Sequence, residues 1–528
     1  MCVETPLLLR SRAARGAGNL FVGNTLSLII QGVGAILVAR LLGVAVYGLY
    51  TLLLVPSATV YVFTQLGIGG SATRYTAYYN KLGNEREALE VVNVGLIAST
   101  TLHIALTVVS FVLAPFIMGS VIHRSSLSSY AQLASLVIVF QGLTNFCTSV
   151  FNGYFKTLQT SVILFLQASV KTVGSIALIV LGLGLEGAVL GLVLSYVVSG
   201  LTGLGMLLFM LDLKKPKDFR GELWKILSFG LPTYAANLLN GLSRQVQLVI
   251  LAMVASASAV GAFSASTNLV GFIGVVSFPL STILVPTFSE ISAQRDSGRM
   301  SSSYTKATVL GTTLIAPVAF YMIFLAQPLF SAFYGHGYAD FYFVLAALAV
   351  GYLGVAVGGQ TQTSFFAGIN NTRVNAAVAM IQAASLVSLS IGLGYALGVT
   401  GVALATSAAM VISALFAHHA YLKRRYHATI PNRTMILILL TGLAAGVLTF
   451  LLAPHQSVHG LVGVGEAFAL FLVYTVFYTT ILPLTGALSR DELLLISESF
   501  ASLQGFNKFV ELIVRYMVWL TKLSGRKN

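Results

Sequence analysis

The chain has 528 residues, of which 56% are hydrophobic and only 9% charged, with a mean hydropathy of +0.87. Soluble globular proteins carry about 25% charged residues, so this composition excludes a mostly water-exposed protein and indicates a polytopic membrane protein. The net charge of +14 does not indicate nucleic-acid binding, because the basic residues lie in short segments between apolar stretches. The two cysteines, Cys2 and Cys147, are too few and too far apart for a disulfide framework or a zinc site.

Apolar stretches long enough to cross a bilayer as a helix, which takes about 20 residues, recur along the whole chain. We therefore predict an all-α polytopic membrane protein with about 14 transmembrane helices. The predicted spans lie near residues 20–42, 46–68, 90–113, 131–153, 160–182, 187–211, 226–254, 259–288, 306–328, 340–365, 375–397, 400–421, 434–453 and 462–486.

The distribution of Lys and Arg supports this count independently. When the N-terminus is placed in the cytoplasm, almost all of the 30 Lys and Arg residues fall in cytoplasmic segments. The exceptions are Arg40 and Arg124 on the outer side, and Lys171 and Arg244 inside spans. Since cytoplasmic loops carry an excess of basic residues, we predict both termini to lie in the cytoplasm, with the cell membrane as the location.

The sequence contains an internal repeat. With a shift of 215 residues, Thr148, Phe151 and Gln167 coincide with Thr363, Phe366 and Gln382, and after one deletion Gly184 coincides with Gly398. Towards the N-terminus, at a shift of 213, Asn24, Gln31 and Gly48 coincide with Asn237, Arg244 and Gly261. Each copy holds six spans, an even number, so both copies enter the membrane in the same direction as parallel repeats around a cleft.

The repeat predicts five segments. These are an N-terminal six-helix lobe (1–211), a cytoplasmic linker (212–225), a C-terminal six-helix lobe (226–422), two additional transmembrane helices (423–488) and a cytoplasmic amphipathic tail (489–528). In the tail, apolar residues recur at helical spacing from Phe506 to Leu520. This pattern predicts a helix that lies in the membrane interface or packs on the inner surface of the protein.

Polar residues inside spans are the candidate binding residues, because such groups are expensive in lipid and usually face a partner or a watery cavity. Asn237, Asn240 and Arg244 follow helical spacing in the seventh span, with Gln247 nearby, and Asn24 and Gln31 occupy the equivalent offsets in the first span. We predict that these residues line a cleft for an anionic ligand. The alternative is an arginine that is satisfied by backbone carbonyls or packing amides.

Three further residues are candidates with weaker support. Lys171 lies near the middle of its span, but its repeat equivalent is Leu386 and its long side chain could reach the interface. Arg40 ends the first span on the outer side, which favours a structural role. His103, in the third span, is more typical of a hydrogen-bonded packing residue than of a proton site.

Catalytic and cofactor motifs are missing from the sequence. There is no GxxxxGK[ST] loop for ATP, no large outer loop and no metal-ligand cluster, so we predict neither an enzyme nor a metal or cofactor site. Asp and Glu are also absent from the interior of the spans. A span interior with cations and amides but no carboxylates favours an anionic substrate over a cationic drug.

Four stretches resemble one known family. GNLFVGNTLSLIIQGVGAILVARLLGVAVYGLYTL, LSFGLPTYAANLL, FYGHGYAD and NNTRVNA resemble the oligosaccharide and polysaccharide (Wzx-like) flippases of the multidrug/oligosaccharidyl-lipid/polysaccharide (MOP) exporter superfamily. The resemblance covers nearly the whole chain and implies a MATE-like fold of two six-helix lobes plus two extra helices.

The resemblance also implies a function. A flippase of this kind moves an oligosaccharide on a polyprenyl phosphate or diphosphate from the inner to the outer leaflet by alternating access, and Arg244 would meet the phosphate or an acidic sugar. Membrane lipids and glycan-assembly enzymes are the implied partners, with no nucleic acid. The alternatives are a multidrug or cation antiporter of the same fold, a membrane glycosyltransferase or polymerase, and a scaffold without transport.

Overall fold

The computed structural model describes residues 6–64, 66–212, 216–294, 296–454, 460–489, 492–494 and 506–523, and these ranges contain helices and turns but no strand. The all-α fold class is therefore confirmed. By contacts between residues, the chain divides into two compact units, Met1–Gly261 and Ala262–Asn528.

The first unit contains nine helices among its described residues. They are α1 (Pro6–Leu53), α2 (Val55–Val62), α3 (Ile68–Lys81), α4 (Glu85–Phe116), α5 (Ser128–Ser135), α6 (Val137–Gly153), α7 (Thr157–Leu178), α8 (Gly184–Met210) and α9 (Phe219–Val254). Helix α10 (Ala257–Gly271) follows and crosses the boundary between the units.

The described part of the second unit also consists of helices and connecting turns, without a strand. Its helices are α11 (Ile273–Ala293), α12 (Ser297–Phe324), α13 (Ala326–Tyr334), α14 (His336–Ala339), α15 (Tyr342–Tyr352), α16 (Gly359–Gly368), α17 (Thr372–Ala417), α18 (Lys423–Arg425), α19 (Asn432–Leu452), α20 (Gly460–Thr485) and α21 (Phe506–Leu523).

The predicted spans all have helical counterparts, although only eight described segments are long and apolar enough to cross a membrane, or nine if one bent pair is a single span. The count is lower because Leu26–Val62, Thr157–Met210 and Arg373–Arg425 each contain two predicted spans. The seventh and eighth predicted spans contribute only the shorter apolar helices Leu238–Val254 and Ile283–Ala293.

Glycines in non-helical conformations mark the points where paired spans meet. Gly43 (φ 75°, ψ 163°) interrupts α1, and Gly398 (φ 61°, ψ −136°) interrupts α17. Gly184 (φ 49°, ψ −121°) begins α8 after α7. Positive φ angles are readily reached by glycine and rarely by other residues, so each of these positions allows one apolar span to turn into the next.

The internal repeat is visible in the backbone of each unit separately. Gly184 and Gly398, which are equivalent in sequence, share their unusual backbone conformation. The same holds for Phe155 (φ 56°) and Asn370 (φ 55°), which are 215 residues apart and precede α7 and α17. Non-glycine residues seldom adopt positive φ, so this agreement comes from a common local fold.

The apolar cores of the two units also use equivalent residues. Phe151 and Phe366 are each fully buried, the first beside Phe146 and Cys147 and the second against Phe365. The burial of Cys147 agrees with the packing role expected of a small, weakly polar side chain.

Helix α9 belongs to the first unit by its contacts, although the repeat places it in the second lobe. It packs on α2, α3 and α4, and the hydroxyl of Ser71 on α3 donates a 2.7 Å hydrogen bond to the carbonyl of Ile226 on α9. The contact units and the sequence repeat therefore divide the chain at different places, and the repeat-based boundaries stay a prediction.

The predicted tail helix is present as α21. Val510, Val514, Met517 and Leu520 are buried, and α21 packs on α20, where the Tyr516 hydroxyl lies 3.0 Å from that of Thr480. Of the two placements considered, the structure shows the helix packed on the protein itself. The rest of the tail lies largely outside the described residues.

Candidate functional site

The polar face predicted in the seventh span lies on α9. The carboxylate of Asp218 caps the N-terminus of this helix by accepting a 2.9 Å hydrogen bond from the Gly221 N–H. Further along α9, Asn240 and Arg244 are exposed, whereas Gln247 is buried. Residues four apart occupy the same helix face, so Asn240 and Arg244 present one exposed polar surface.

Arg244 has neither a hydrogen bond nor an ion pair with any residue that the structure describes. An arginine carries five N–H donors and stays charged at all physiological pH values, so it is available to an anionic ligand. The alternative of an arginine satisfied by carbonyls or amides finds no support within the described part of the chain. The role of Arg244 in binding stays a prediction.

The remaining predicted site residues lie on α1 and α7, which pack against each other through a 3.2 Å hydrogen bond from the Thr172 hydroxyl to the Ile30 carbonyl. Gln31 and Lys171 are half-buried in this helix pair, and Arg40 is exposed near the end of the first span. The side chains of Asn24 and Asn237 lie outside the described residues.

A polar cavity that the sequence did not predict lies at a break in the second span. It has a volume of about 200 Å³ and is enclosed by α2, α3, α4, α6 and α9. The residues that determine its chemistry are Tyr61, Gly67, His103, Asn145, Ser149 and Tyr234.

The break lies between the end of α2 and the start of α3. Helix α2 ends at Val62, and the hydroxyl of Thr64 donates a 2.7 Å hydrogen bond back to the Tyr61 carbonyl. Helix α3 begins after Gly67, whose φ of 76° and close approach to Gly230 on α9 both require glycine, since a Cβ atom would overlap the Gly230 backbone.

The break leaves backbone donors inside the cavity. The first N–H of α3 with a backbone acceptor is that of Ser71, which donates to the Gly67 carbonyl at 2.9 Å. The N–H groups of Ile68, Gly69 and Gly70 precede it and have no acceptor among the described residues, as is usual for the first turn of a helix. All three residues line the cavity.

The imidazole of His103 on α4 lines the same cavity. The side chain is only 5% exposed, and its Nδ1 lies 2.5 Å from the Ser99 carbonyl oxygen. Since a carbonyl only accepts, Nδ1 carries the proton and donates this bond. Nε2 has no hydrogen-bond partner among the described residues, and it lies against Gly142, where a Cβ atom would overlap the imidazole ring.

A cationic cluster lies at the beginning of α9, on the predicted cytoplasmic side of the cavity. The Lys225 ammonium donates hydrogen bonds to the Tyr79 hydroxyl (2.5 Å) and to Glu222 (3.0 Å), and the Arg74 guanidinium stacks on Phe229 at 4.1 Å. Burial acts to lower the pKa of Lys225, but its bonds to Tyr79 and Glu222 outweigh burial and raise it. Lys225 therefore stays charged at neutral pH.

The second unit has its own bent span. Tyr342–Val357 and Gly359–Gly368 meet at 52° beside Gly358, and a cavity of about 110 Å³ lies at the bend. Gln360, the repeat equivalent of Asn145, donates a 3.1 Å hydrogen bond to the Ser281 hydroxyl. The described lining of this cavity contains no histidine, acid or cation, so the described linings of the two cavities differ in their chemistry.

Sequence comparison places the chain in a family. Residues 13–292 match the family described as polysaccharide biosynthesis protein, which is more than half of the chain. The chain belongs to this polysaccharide biosynthesis family. No curated protein matches the chain in sequence.

Several solved structures share the fold of this chain. A lipid II flippase MurJ in an inward-closed conformation has a TM-score of 0.70 at 18% identity and covers 87% of this chain and 98% of its own. An inward-facing multidrug resistance MATE family transporter of the MOP superfamily has a TM-score of 0.66 at 16% identity, covering 78% and 98%.

A third similar structure is a MOP superfamily transporter from Pyrococcus furiosus described as having a binding pocket of reversed polarity (TM-score 0.54, 18% identity, 79% and 95% covered). The fold of this polysaccharide biosynthesis protein is thus that of the MOP superfamily, as the sequence motifs indicated. The chain is a multi-pass membrane protein.

Proposed function

We propose that the protein is a flippase that moves a lipid-linked oligosaccharide, on a polyprenyl phosphate or diphosphate, from the inner to the outer leaflet by alternating access. The observation that carries this proposal is Arg244, a cation on an exposed membrane-helix face with no acidic partner among the described residues. A charge in a span is retained where it meets a ligand or a watery cavity, and the phosphate of such a lipid is an anion.

Three further facts support an anionic lipid-linked substrate. The family to which the chain belongs serves polysaccharide biosynthesis, and the interior of the predicted spans contains Lys171 and Arg244 but no Asp or Glu. The MurJ structure with the same fold is a lipid II flippase. On this proposal the protein is a transporter without a catalytic step, it acts in the cell membrane, and glycan-assembly enzymes supply or receive its substrate.

The likeness to a MATE family transporter favours a second candidate, export of multidrug substrates by the same fold. A cationic drug needs a carboxylate in the membrane interior to balance its charge. Such a carboxylate is missing from the interior of the predicted spans, so we place this candidate second.

The test is reconstitution of the purified protein into liposomes with a short-chain fluorescent lipid-diphosphate sugar. A membrane-impermeant quencher scores movement between leaflets for the wild type, Arg244→Ala, Arg244→Lys and the control Arg124→Ala. We expect protein-dependent flipping that falls at least tenfold in Arg244→Ala, as for the loss of a charged hydrogen bond worth about 1.5–3 kcal/mol. Arg124→Ala should flip normally.

Two results would count against these assignments. Flipping that survives in Arg244→Ala would leave the function standing and remove Arg244 from the site. A protein that exports a cationic dye but does not flip the lipid would belong to the multidrug branch instead.

A further inference from the structure

The cavity at the break of the second span combines two kinds of oxyanion-binding group. Three free N–H groups come from the first turn of α3, and a buried imidazole comes from α4. We propose that this cavity binds one phosphate group of the lipid-linked substrate, and that binding takes up a proton on Nε2 of His103. The proposal rests on the flippase function and names a phosphate site separate from Arg244.

The helix terminus supplies the first half of the argument. The unpaired N–H groups at the start of a helix carry a partial positive charge, equivalent to about half a proton charge for the whole terminus, and form a ready anion site. Helix α3 has 14 residues and begins after Gly67, at the cytoplasmic end of the second predicted span, and its first residues line the cavity. Broken helices whose N-termini face anionic groups are a recurring device of membrane transporters.

His103 supplies the second, independent half. Its Nδ1 proton is committed to the Ser99 carbonyl, which fixes the ring and aims the unpartnered Nε2 at the cavity. In the neutral ring Nε2 carries a lone pair, which repels phosphate oxygens, whereas the imidazolium donates a charge-assisted hydrogen bond to them. An oxyanion that lies against Nε2 therefore favours protonation of this nitrogen.

Among the described residues that line the cavity, no group other than His103 can take up a proton at physiological pH. The titratable side chains that line the cavity beside it are Tyr61 on α2 and Tyr234 on α9, and phenols are neutral at physiological pH. Helices α3, α5 and α6 contribute no charged side chain to the lining. Among the described residues that line the cavity, His103 is therefore the side chain that takes up the proton.

The remaining lining fits a phosphate group in size and polarity. Asn145 donates one amide N–H to the Tyr61 hydroxyl at 2.5 Å, and the second N–H of this amide has no acceptor among the described residues. The volume of about 200 Å³ is several times the roughly 30 Å³ that one water occupies in the liquid. The cavity thus has room for a phosphate group, with the lipid and the glycan outside it.

The position along α9 separates this site from Arg244. Tyr234, which lines the cavity, precedes Arg244 by ten residues, or about 15 Å at the rise of an α-helix. The cavity lies nearer to Lys225 and hence to the predicted cytoplasmic side, so it would hold the phosphate of a substrate that has just entered from the inner leaflet.

The first experiment is calorimetric titration of the detergent-purified full-length protein with inorganic diphosphate. Titrations in two buffers of different ionisation enthalpy at pH 6.5 and pH 8 count the protons taken up. We expect binding with uptake of up to one proton per site, and affinity at least tenfold weaker at pH 8. His103→Gln should lose the proton uptake and at least tenfold in affinity, whereas the exposed His123→Gln should match the wild type.

A second variant keeps the proposal testable if His103→Gln does not fold. A Cβ atom on Gly70 meets no atom within 4 Å, so Gly70→Leu can place a side chain across the cavity without a clash at Cβ. It should weaken diphosphate binding at least tenfold, whereas Gly271→Leu, at another exposed helical glycine with open space, should not. Unchanged affinity and proton uptake in both cavity variants would overturn the proposal, as would a wild type that binds no diphosphate.

Liposome flipping of the fluorescent lipid-diphosphate sugar distinguishes this inference from the function it rests on. Flipping that is normal in the wild type and lost in His103→Gln and Gly70→Leu identifies the lipid-linked phosphate as the ligand. Normal flipping in both variants would overturn the phosphate site while leaving the flippase function intact. Diphosphate binding with proton uptake in a wild type that flips no lipid would support the oxyanion site and overturn the lipid as its source.

Discussion

Gly48 shows how a single residue type is dictated by its surroundings. A Cβ atom here would overlap the carbonyl oxygen of Ala257, and one on Gly261 would overlap that of Val44. The contact is reciprocal, because Gly48 and Val44 are the repeat equivalents of Gly261 and Ala257. Sequence alignment paired these glycines, but their direct contact became visible only in the structure.

Gly48→Ala is therefore expected to destabilise the protein. The clash is with backbone, which cannot rotate away, and overpacking of this kind costs about 1–3 kcal/mol. Thermal unfolding in detergent should show a melting temperature lowered by several degrees. Gly174→Ala is the control, since its Cβ would meet only Gly191 Cα at 3.9 Å, and an unchanged Gly48→Ala protein would contradict the close crossing.

Arg244 and His103, the two candidate binding residues, differ in how strongly the sequence singles them out, for a physical reason. The cost of a charge in lipid singles out Arg244 from sequence alone, and the structure leaves it exposed and without a partner among the described residues. His103 carries no such signal, because a neutral histidine is compatible with ordinary packing. Its importance depends on the backbone break and on Gly142, which lie far from it in sequence.

At the scale of helices, hydropathy located the spans but not their interruptions. Pro56, which invites a kink by sequence, lies in the first turn of α2, where proline is well tolerated. The main break occurs at residues 63–67, where Gly67 meets Gly230 across 163 positions of sequence. A contact between residues so far apart in sequence cannot be predicted from local sequence patterns. The closely spaced glycines Gly67, Gly69 and Gly70 do, however, indicate an interruption of the helix.

Gly67→Ala tests whether the contact between Gly67 and Gly230 stabilises the packing of α9 against the start of α3. The substitution adds both strain at a φ of 76° and overlap with Gly230, so it should lower the melting temperature and expose the segment before α9 to limited proteolysis. Gly83→Ala is a matched control, because Gly83 has a similar φ of 72° but open space around its Cβ. Equal effects of the two substitutions would show that only backbone strain matters.

The tail helix α21 offers a second test at this scale. Val514 is buried and Leu512 is 67% exposed, so Val514→Asp should release the tail and speed its proteolysis in liposomes. Burying a valine side chain stabilises by about 1.5–3 kcal/mol, and the new carboxylate would also have to be desolvated. Leu512→Asp should change little; a larger effect at Leu512 would indicate a helix held by lipid.

For the whole molecule, the basic residues predict which side of the membrane each connection faces. In a background of Cys2→Ser and Cys147→Ala, an impermeant maleimide added to intact cells should label Ser125→Cys and spare Arg86→Cys. Both positions are exposed in the structure, so permeabilised cells should show labelling of each. Labelling of Arg86→Cys alone in intact cells would reverse the predicted topology.

The duplication also explains what sequence could establish about the whole chain. Two copies of one fold preserve Phe151 and Phe366 in the cores and the turns at Gly184 and Gly398, so architecture follows from the repeat. The cavities do not follow, since Asn145 shares its cavity with His103 while Gln360 lies in a cavity with no histidine. The two copies therefore differ in the described lining of these cavities.

The free N–H groups of Ile68, Gly69 and Gly70 have a consequence for amide hydrogen–deuterium exchange. Amides in membrane helices are protected by their intrahelical acceptors, but these three have none among the described residues. The first turn of α3 should therefore take up deuterium ahead of the helical turns on either side of it, whenever water reaches the cavity. Mass spectrometry of this one peptide would report each opening of the cavity to solvent without any introduced label.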